Sequence, residues 1–267
     1  MIDSLRLYLR YLSISLRGQL QYRANFILQT LGHLLVTFIE FLGLWALFDR
    51  FGNLRGWALP EVALIYGMIS ISFALSDAFS RGFDWFGNTV RNGDFDRILL
   101  RPRSTVLQIS GQEITLKRVG RLFQGLAIFI WAISALHVQW NFARAILLLA
   151  ALAGGACMFI GLVIIQATMA FWTIETLEIM NSFTYGGEYA AEYPMAIYRP
   201  WFRRFFTFII PLACANYFPA LAILGKSDPL RTNPALHWLA PIAGPAFLAI
   251  ALQLWKVGVR HYRSTGS

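Results

Sequence analysis

Charged residues are scarce in this chain of 267 residues. They make up 14% of the sequence, whereas an ordinary soluble domain carries about 25%. Hydrophobic residues make up 57% and fall into long runs, each near the roughly 20 residues that a helix needs to cross a bilayer. This scarcity of charge excludes a soluble domain. It predicts an all-α integral membrane protein, because lipid requires backbone hydrogen bonds to be satisfied within each helix.

Cysteine and histidine are also few. Cys157 and Cys214 both lie in apolar runs, which favours small buried side chains over a disulfide or a metal pair. The four histidines are scattered along the chain, at His33, His137, His237 and His261. No His and Glu spacing suits a metal, and no set of nucleophile and base converges. The sequence therefore predicts a non-catalytic chain with no metal or cofactor of its own.

Positive charge is present but unevenly placed. Of the 23 Lys and Arg, 18 fall into four clusters, Arg6–Arg23, Arg81–Arg121, Arg199–Arg204 and Lys256–Arg263. Basic loops stay on the cytoplasmic side of a membrane, so the apolar runs between the clusters predict six spans with both termini inside. The net charge of +9 sits beside these spans, where it contacts anionic lipid. That placement disfavours a nucleic-acid partner.

The apolar runs predict one membrane domain over residues 1–267. Its spans are 24–48, 60–82, 117–136, 143–172, 203–223 and 237–257. The outer connections are 49–59, 137–141 and 224–236, and the long inner segments are 83–103 and 173–202.

The first 22 residues have a pattern of their own. Leucines follow helical spacing, and arginines form a second stripe beside them, at Leu5, Leu9, Leu12 and Leu16 and at Arg6, Arg10 and Arg17. The pattern predicts an amphipathic helix at the inner membrane interface. Two interpretations stay open: a simple positive-inside anchor, or an element that passes motion to the spans.

The first inner segment predicts a short amphipathic helix over 83–91. It should end at Asn92 and Gly93, residue types that accept a left-handed cap, and Pro102 should prevent further helix. Exposed apolar and charged side chains on such a helix suit docking to another protein. The alternative is an ordinary basic loop.

Two stretches of sequence resemble a known family. Residues 91–104, RNGDFDRILLRPRS, and residues 184–225, which include Tyr193-Pro194, Trp201 and Pro211, resemble the six-span permease subunits of type-2 ABC exporters, in a largely uncharacterised bacterial group. The resemblance implies a type-2 ABC exporter fold and the membrane half of an ATP-driven exporter, with a bacterial cytoplasmic (inner) membrane as the location. It also implies a separate ATPase subunit that binds ATP and Mg, and a second permease subunit, the same or related.

The same resemblance implies where the ATPase docks. A coupling helix would use the predicted 83–93 stretch, with charged residues flanking the contact: Phe83, Trp85, Phe86, Val90 and Arg91, then Asp94, Asp96, Arg97 and Arg101. In this family the loop before the last span dips back into the membrane. Prolines in residues 217–236 suit such a re-entrant structure.

Intramembrane polar residues are the remaining candidates. Glu40 and His33 could form a proton relay or a satisfied contact between helices, and Asp77 should pair with Arg81 four residues on. A further pattern is Tyr185, Tyr189 and Tyr193 with Glu188 and Glu192. It fits an interfacial helix or a second ATPase contact.

Two other interpretations are weighed against these. Residues 225–227, Gly-Lys-Ser, end a phosphate-loop pattern whose first glycine is missing, with no preceding strand, so a nucleotide site is disfavoured. The alternative function is a secondary transporter or channel that works without an ATPase. Inverted repeats or several midplane charges would favour it.

Overall fold

The computed structural model describes residues 13–14, 17–18, 21, 23–112, 119–173, 177–228 and 232–264. Throughout these residues the regular elements are helices, and an isolated bridge joins Leu54 to Trp57. The first seven helices that we number are α1 (Arg23–Phe51), α2 (Leu59–Asp84), α3 (Phe86–Arg91), α4 (Asp94–Leu99), α5 (Thr105–Ser110), α6 (Val119–Ala135) and α7 (Phe142–Met169). The others are α8 (Leu177–Ala191), α9 (Pro200–Phe208), α10 (Leu212–Ala215), α11 (Tyr217–Leu224), α12 (Pro234–Leu239) and α13 (Ala243–His261).

Local signals set several helix ends. At the start of α2, Glu61 accepts a hydrogen bond from the backbone N–H of Ala58 at 2.8 Å. At the start of α7, the Asn141 side chain accepts from the N–H of Arg144 at 2.8 Å. Gly93 has φ +73°, so the left-handed conformation predicted after α3 is confirmed. Gly225, with φ +66°, ends α11 in the same way.

Four helical stretches in the described residues are long and apolar enough to cross a membrane. They are Ile27–Phe51, Leu59–Arg91, Phe142–Met169 and Pro234–His261. Gly120–Ala135 is apolar but shorter. These stretches match five predicted spans to within a few residues, except that Leu59–Arg91 continues past the predicted end at residue 82 and includes α3. The protein is an all-α integral membrane protein.

The predicted span 203–223 is wrong as one continuous helix. In its place, Pro200–Phe208 and Leu212–Leu224 meet at an angle of 68°. Pro211 stands at the break, where it has no backbone N–H to continue the helix. Asn216 then interrupts the second half and donates its side-chain N–H to the carbonyl of Ala191.

The core of the bundle is formed by α2, which packs against α6 and α7, and by α7 against α13. The crossing of α7 and α13 is close. A Cβ atom added to Gly244 would lie 1.9 Å from the carbonyl oxygen of Gly154. No side chain fits between these backbones, so glycine is required there. By contrast, only 12% of the apolar window of α1 is buried, and most of its surface is left for lipid or a partner.

The two ends of this bundle are named here by their loops. The Gly93 end carries residues 85–103, and the Trp57 end carries residues 52–58. The 26 residues of α2 separate them by about 39 Å.

Candidate functional site

The Gly93 end has an aromatic core of its own. Six rings pack together there, those of Phe83, Phe86, Phe95, Phe171, Trp255 and Tyr262. The ring centroids of Phe86 and Trp255 are 4.8 Å apart, and those of Phe95 and Tyr262 are 4.9 Å apart. Such pairs stabilise beyond their buried area by about 0.5–1.5 kcal/mol each. The core therefore fastens α3 and α4 to the last helix and to the end of α7.

Polar contacts complete this attachment. The indole N–H of Trp255 donates to the Thr105 hydroxyl at 3.0 Å. The Ser264 hydroxyl donates to the Asp96 carboxylate at 2.5 Å, so the residues that directly follow α13 lie at the Gly93 end. Burial, with help from the nearby Asp96 carboxylate, raises the pKa of the Tyr262 phenol to about 12. Tyr262 is therefore neutral at physiological pH.

The residues predicted for ATPase coupling divide into two groups. The side chains of Phe83, Phe86 and Val90 are buried in the chain's own core and are not available at its surface. The other group is at the surface or half-buried: Trp85, Arg91, Asp94, Arg97 and Arg101 are exposed, and Asp96 is half-buried. The surface of the segment is therefore polar and basic, with Trp85 as its apolar member among the predicted residues.

Two exposed residues were missed by the sequence prediction. Leu99 and Leu100 end α4, and the Leu100 side chain is 84% exposed. Phe95 and Ile98 occupy the buried face of α4 three residues apart. Leu100 falls on the opposite side of the helix, and Leu99 lies at the edge of the buried face, where it is 41% exposed. The helical spacing of these four apolar residues was the available signal. Arg97 and Asp94 pair at 3.8 Å nearby, an exposed ion pair that contributes little stability.

A charge cluster lies inside the bundle. Arg121 on α6 is 2.6 Å from Glu188 on α8 and 3.8 Å from Glu192, and all three side chains are largely buried. The Arg121 guanidinium also lies 5.2 Å from the ring centroid of Phe73, near the middle of α2. Arg121 was counted with the inner basic cluster, and Glu188 and Glu192 with an interfacial helix. In the structure these three residues meet in the interior.

Further polar contacts extend from this cluster toward the Gly93 end. Tyr185 donates its hydroxyl to Asp84 at 3.1 Å, and Arg81 binds the same carboxylate at 2.6 Å. Arg81 is also 3.9 Å from Asp77, which confirms the predicted pair. In the other direction, Gln124 donates to the Tyr66 hydroxyl at 3.4 Å. Buried polar groups therefore follow the faces of α2, α6 and α8 for most of the length of α2.

The remaining predicted residues are only partly described. Glu40 is half-buried, and its Oε2 has no hydrogen-bond partner among the described residues. The side chain of His33 lies outside the described part of the structure, so the predicted pairing with Glu40 stays a prediction. Also outside it are Leu5, Arg6, Leu9, Arg10, Leu12 and Leu16. Arg17 is helical and exposed.

At the Trp57 end, a lysine side chain connects the residues after α11 to the loop before α2. Lys226 lies 2.5 Å from Glu61, donates to the carbonyl of Gly56 at 2.9 Å, and sits 4.6 Å from the ring centroid of Trp57. The Lys226 ammonium group is therefore engaged by groups of its own chain, and the absence of a nucleotide site at residues 225–227 stays a prediction. The described residues contain no group of three or more His, Cys, Asp or Glu that could hold a metal ion.

A second contact at the Trp57 end bears on topology. Arg55 donates to the carbonyl of Ala196 at 3.2 Å. The sequence prediction put residues 49–59 outside the membrane and all of 173–202 inside. Residues in contact cannot lie on opposite sides of a bilayer, so the two placements cannot both be right.

Comparison with known proteins identifies the family. A family model described as "ABC-2 family transporter protein" matches residues 34–266, which is most of the chain. Searches of curated proteins and of solved structures found no match. The matched region includes α2 to α13 and therefore both the Gly93 end and the interior charge cluster. The chain belongs to the ABC-2 transporter family and is a membrane permease of that type.

Proposed function

We propose that this permease is the transmembrane subunit of an ATP-driven exporter. It works with a separate ATPase subunit, which binds ATP and Mg, and with a second permease subunit, either a copy of itself or a relative. The match to the ABC-2 transporter family carries this proposal. The Gly93 end faces the cytosol of a bacterial cell, and the chain lies in its cytoplasmic membrane.

The ATPase docks on the exposed rim of residues 85–103. Trp85, Leu99 and Leu100 supply the apolar contact, since each is at least two-fifths exposed. Arg91, Arg97 and Arg101 supply positive charge around it. An apolar centre with a charged rim is the usual composition of a protein interface. The partner surface is therefore a groove with an apolar floor and an acidic edge.

The aromatic core gives this docking surface a rigid base. Phe86 and Phe95 are fully buried beneath it, against Trp255 of α13 and Phe171 after α7. A displacement of α3 and α4 is therefore passed to these two spans as well as to α2. ATP binding closes the ATPase subunits, and the paired permeases then alternate between inward and outward openings.

The fifth crossing of the membrane is formed by residues 177–198. Glu188 meets Arg121 halfway along the bundle, and Ala196 reaches Arg55 at the Trp57 end. Residues 200–224 then form a re-entrant segment, because Lys226, just after it, is bound to Glu61 at that same end. The last span returns the chain to the Gly93 end, as the contact of Ser264 with Asp96 supports.

The test is purification of the permease from its native membranes with a search for a bound ATPase. Leu100→Glu should reduce the recovered ATPase at least tenfold. Leu236→Glu, on α12 and also exposed, is the matched control and should retain it. Transport that proceeds at the full rate with no ATPase bound would overturn the proposal in favour of a secondary transporter or channel.

A further inference from the structure

The interior charge cluster carries an excess of negative charge in the described residues. Glu188 and Glu192 share the guanidinium of Arg121. Glu192 is 5% exposed, and its Oε1 makes no hydrogen bond with the described residues. Its distance of 3.8 Å from Arg121 is too long for a hydrogen bond. The cluster therefore offers a buried acceptor that Arg121 does not satisfy.

Glu40 adds a third carboxylate to this region. It lies on α1 within electrostatic range of both Arg121 and Glu192, and its buried Oε2 has no hydrogen-bond partner in the described part of the chain. Among the described residues, three carboxylates and one guanidinium therefore lie within electrostatic range of each other. Unpaired carboxylates are costly at bilayer depth, so a bound cation would stabilise this arrangement.

An apolar groove opens next to the cluster. It lies between α1 and α6, has a volume of about 630 Å³, and is lined mainly by aromatic rings, those of Phe38, Phe41, Trp45, Phe123 and Trp131. A volume of about 300–1,000 Å³ is typical of sites for small organic ligands. The groove is large enough for an amphipathic molecule.

The polar end of the groove leads to the carboxylates. Gln124 lines the groove and donates to the Tyr66 hydroxyl, and the Phe41 ring lies 5.8 Å from the Tyr66 ring. Arg121 is one turn away from Gln124 on α6, because residues three apart share a helix face. Glu40 directly precedes Phe41 in the sequence. The groove lining contains no carboxylate among the described residues, but it adjoins the charge cluster through Gln124 on α6 and Phe41 on α1.

This combination recognises a particular class of ligand. An organic ammonium group is attracted to carboxylates and to aromatic faces, and it is held best where water is excluded. We propose that the groove and the cluster together bind an amphipathic organic cation, with its apolar tail between α1 and α6 and its ammonium group at Glu192 and Glu40. This inference rests on the proposed function and names the class of cargo for that exporter.

The test is direct binding to the purified permease in nanodiscs of zwitterionic lipid, with no ATPase present. The ligands are dodecyltrimethylammonium, dodecyl maltoside and dodecyl sulfate, which share one tail and differ in charge. Fluorescence of Trp45 and Trp131 should report saturable binding of the cation, at least tenfold tighter than that of the neutral ligand. Equal binding of the cation and the neutral ligand, or tighter binding of the anion, would overturn the proposal.

Two substitutions test whether the ammonium group of the ligand binds at Glu192 and Glu40. Glu192→Gln and Glu40→Gln should each weaken its binding at least tenfold and leave binding of the neutral ligand unchanged. Asp49→Asn removes a charge from an exposed position on α1 and should have no effect. Glu40→Gln keeps the Arg121 pair with Glu188, so it remains a test if Glu192→Gln fails to fold. Unchanged cation binding in folded Glu40→Gln and Glu192→Gln proteins would mean that the carboxylates are balanced by protons, and the inference would be wrong.

The cation-binding proposal and the exporter proposal can fail independently. The binding measurement contains no ATPase, so its failure leaves the exporter assignment standing. Conversely, a permease that binds the cation selectively but never recovers an ATPase would contradict the exporter assignment alone.

Discussion

Arg55 donates a hydrogen bond to the carbonyl oxygen of Ala196, at a distance of 3.2 Å and across 141 residues of sequence. The contact brings the loop before α2 together with the turn after α8. Because α2 separates that loop from the Gly93 end, α8 and the residues after it must run most of the way along the bundle. This contact supports the proposal that residues 177–198 form the fifth crossing.

Cysteine labelling should detect that arrangement. With Cys157 and Cys214 replaced by alanine, single cysteines at Asn53 and Arg199 should react with an impermeant maleimide from the same side of the membrane. A cysteine at Asn92 should react only from the other side. All three positions are exposed, so access to the reagent is not limited by burial. Labelling of Arg199→Cys from the same side as Asn92→Cys would contradict the crossing.

Breaking the interior ion pair should be costly. Arg121→Met leaves Glu188 buried without its partner at 2.6 Å, and loss of one partner of a buried pair typically costs about 3–5 kcal/mol. The added substitution Glu188→Gln should recover part of that stability. The measurement is the unfolding midpoint of the purified proteins.

Arg97→Met is the control for that experiment. It removes an exposed arginine that pairs with Asp94 at 3.8 Å, so it should change the free energy of unfolding by at most about 1 kcal/mol. Equal losses of stability in Arg121→Met and Arg97→Met would contradict the expectation that burial makes the Arg121–Glu188 pair more costly to break.

A second prediction about stability concerns the crossing of α7 and α13. Gly244→Ala puts a methyl group 1.9 Å from the carbonyl oxygen of Gly154, where only a backbone shift can relieve the overlap. Overpacking of this kind costs about 1–3 kcal/mol or more. Thermal unfolding should show a clear loss for Gly244→Ala. Gly186→Ala, on α8 with open space around it, should be neutral or slightly stabilising.

The aromatic core at the Gly93 end can be tested with two tryptophans. Trp255 is 1% exposed and touches several rings, so Trp255→Ala should cost about 3–5 kcal/mol and make residues 85–103 sensitive to protease. Trp85 is 51% exposed, and Trp85→Ala should leave both stability and protease resistance nearly unchanged. Similar protease sensitivity in the two variants would argue against a rigid base beneath the docking surface.

Sequence reasoning located the regular spans well, for a physical reason. A helix that faces lipid must be apolar over about 20 residues, and this constraint is readable in α1, α2, α7 and α13 without any knowledge of packing. The cap at Gly93 was also readable, since a left-handed conformation strongly favours glycine there. Both are properties of short stretches of chain.

The helices between residues 177 and 224 could not be predicted from such local patterns. Its helices are short, and Pro194 and Pro211 separate them, so no run has the length of a full span. The charge rule placed the cluster Arg199–Arg204 in the cytosol and residues 49–59 outside, whereas Arg55 and the neighbouring Ala196 are in contact. The charge rule describes an average over loops, so it does not reveal which of two such incompatible placements is wrong.

The interior charge cluster was missed because it depends on a tertiary contact. Glu188 and Glu192 are one helical turn apart, a spacing equally typical of an exposed helix. Only the approach of Arg121 from α6 shows that they are buried. Phe83 and Phe86 were misassigned for the same reason. Their aromatic side chains suited a docking surface in the sequence, but in the structure both pack against Trp255.

The close crossing at Gly154 and Gly244 has a consequence for how this protein changes shape. The backbones are in direct contact at this point, with no flexible side chain between them that could rearrange, so we expect α7 and α13 to move together as one rigid unit. The sparsely packed α1 is held far less tightly. In the proposed exporter, a displacement received at the Gly93 end would therefore move α7 and α13 as one rigid pair relative to α1.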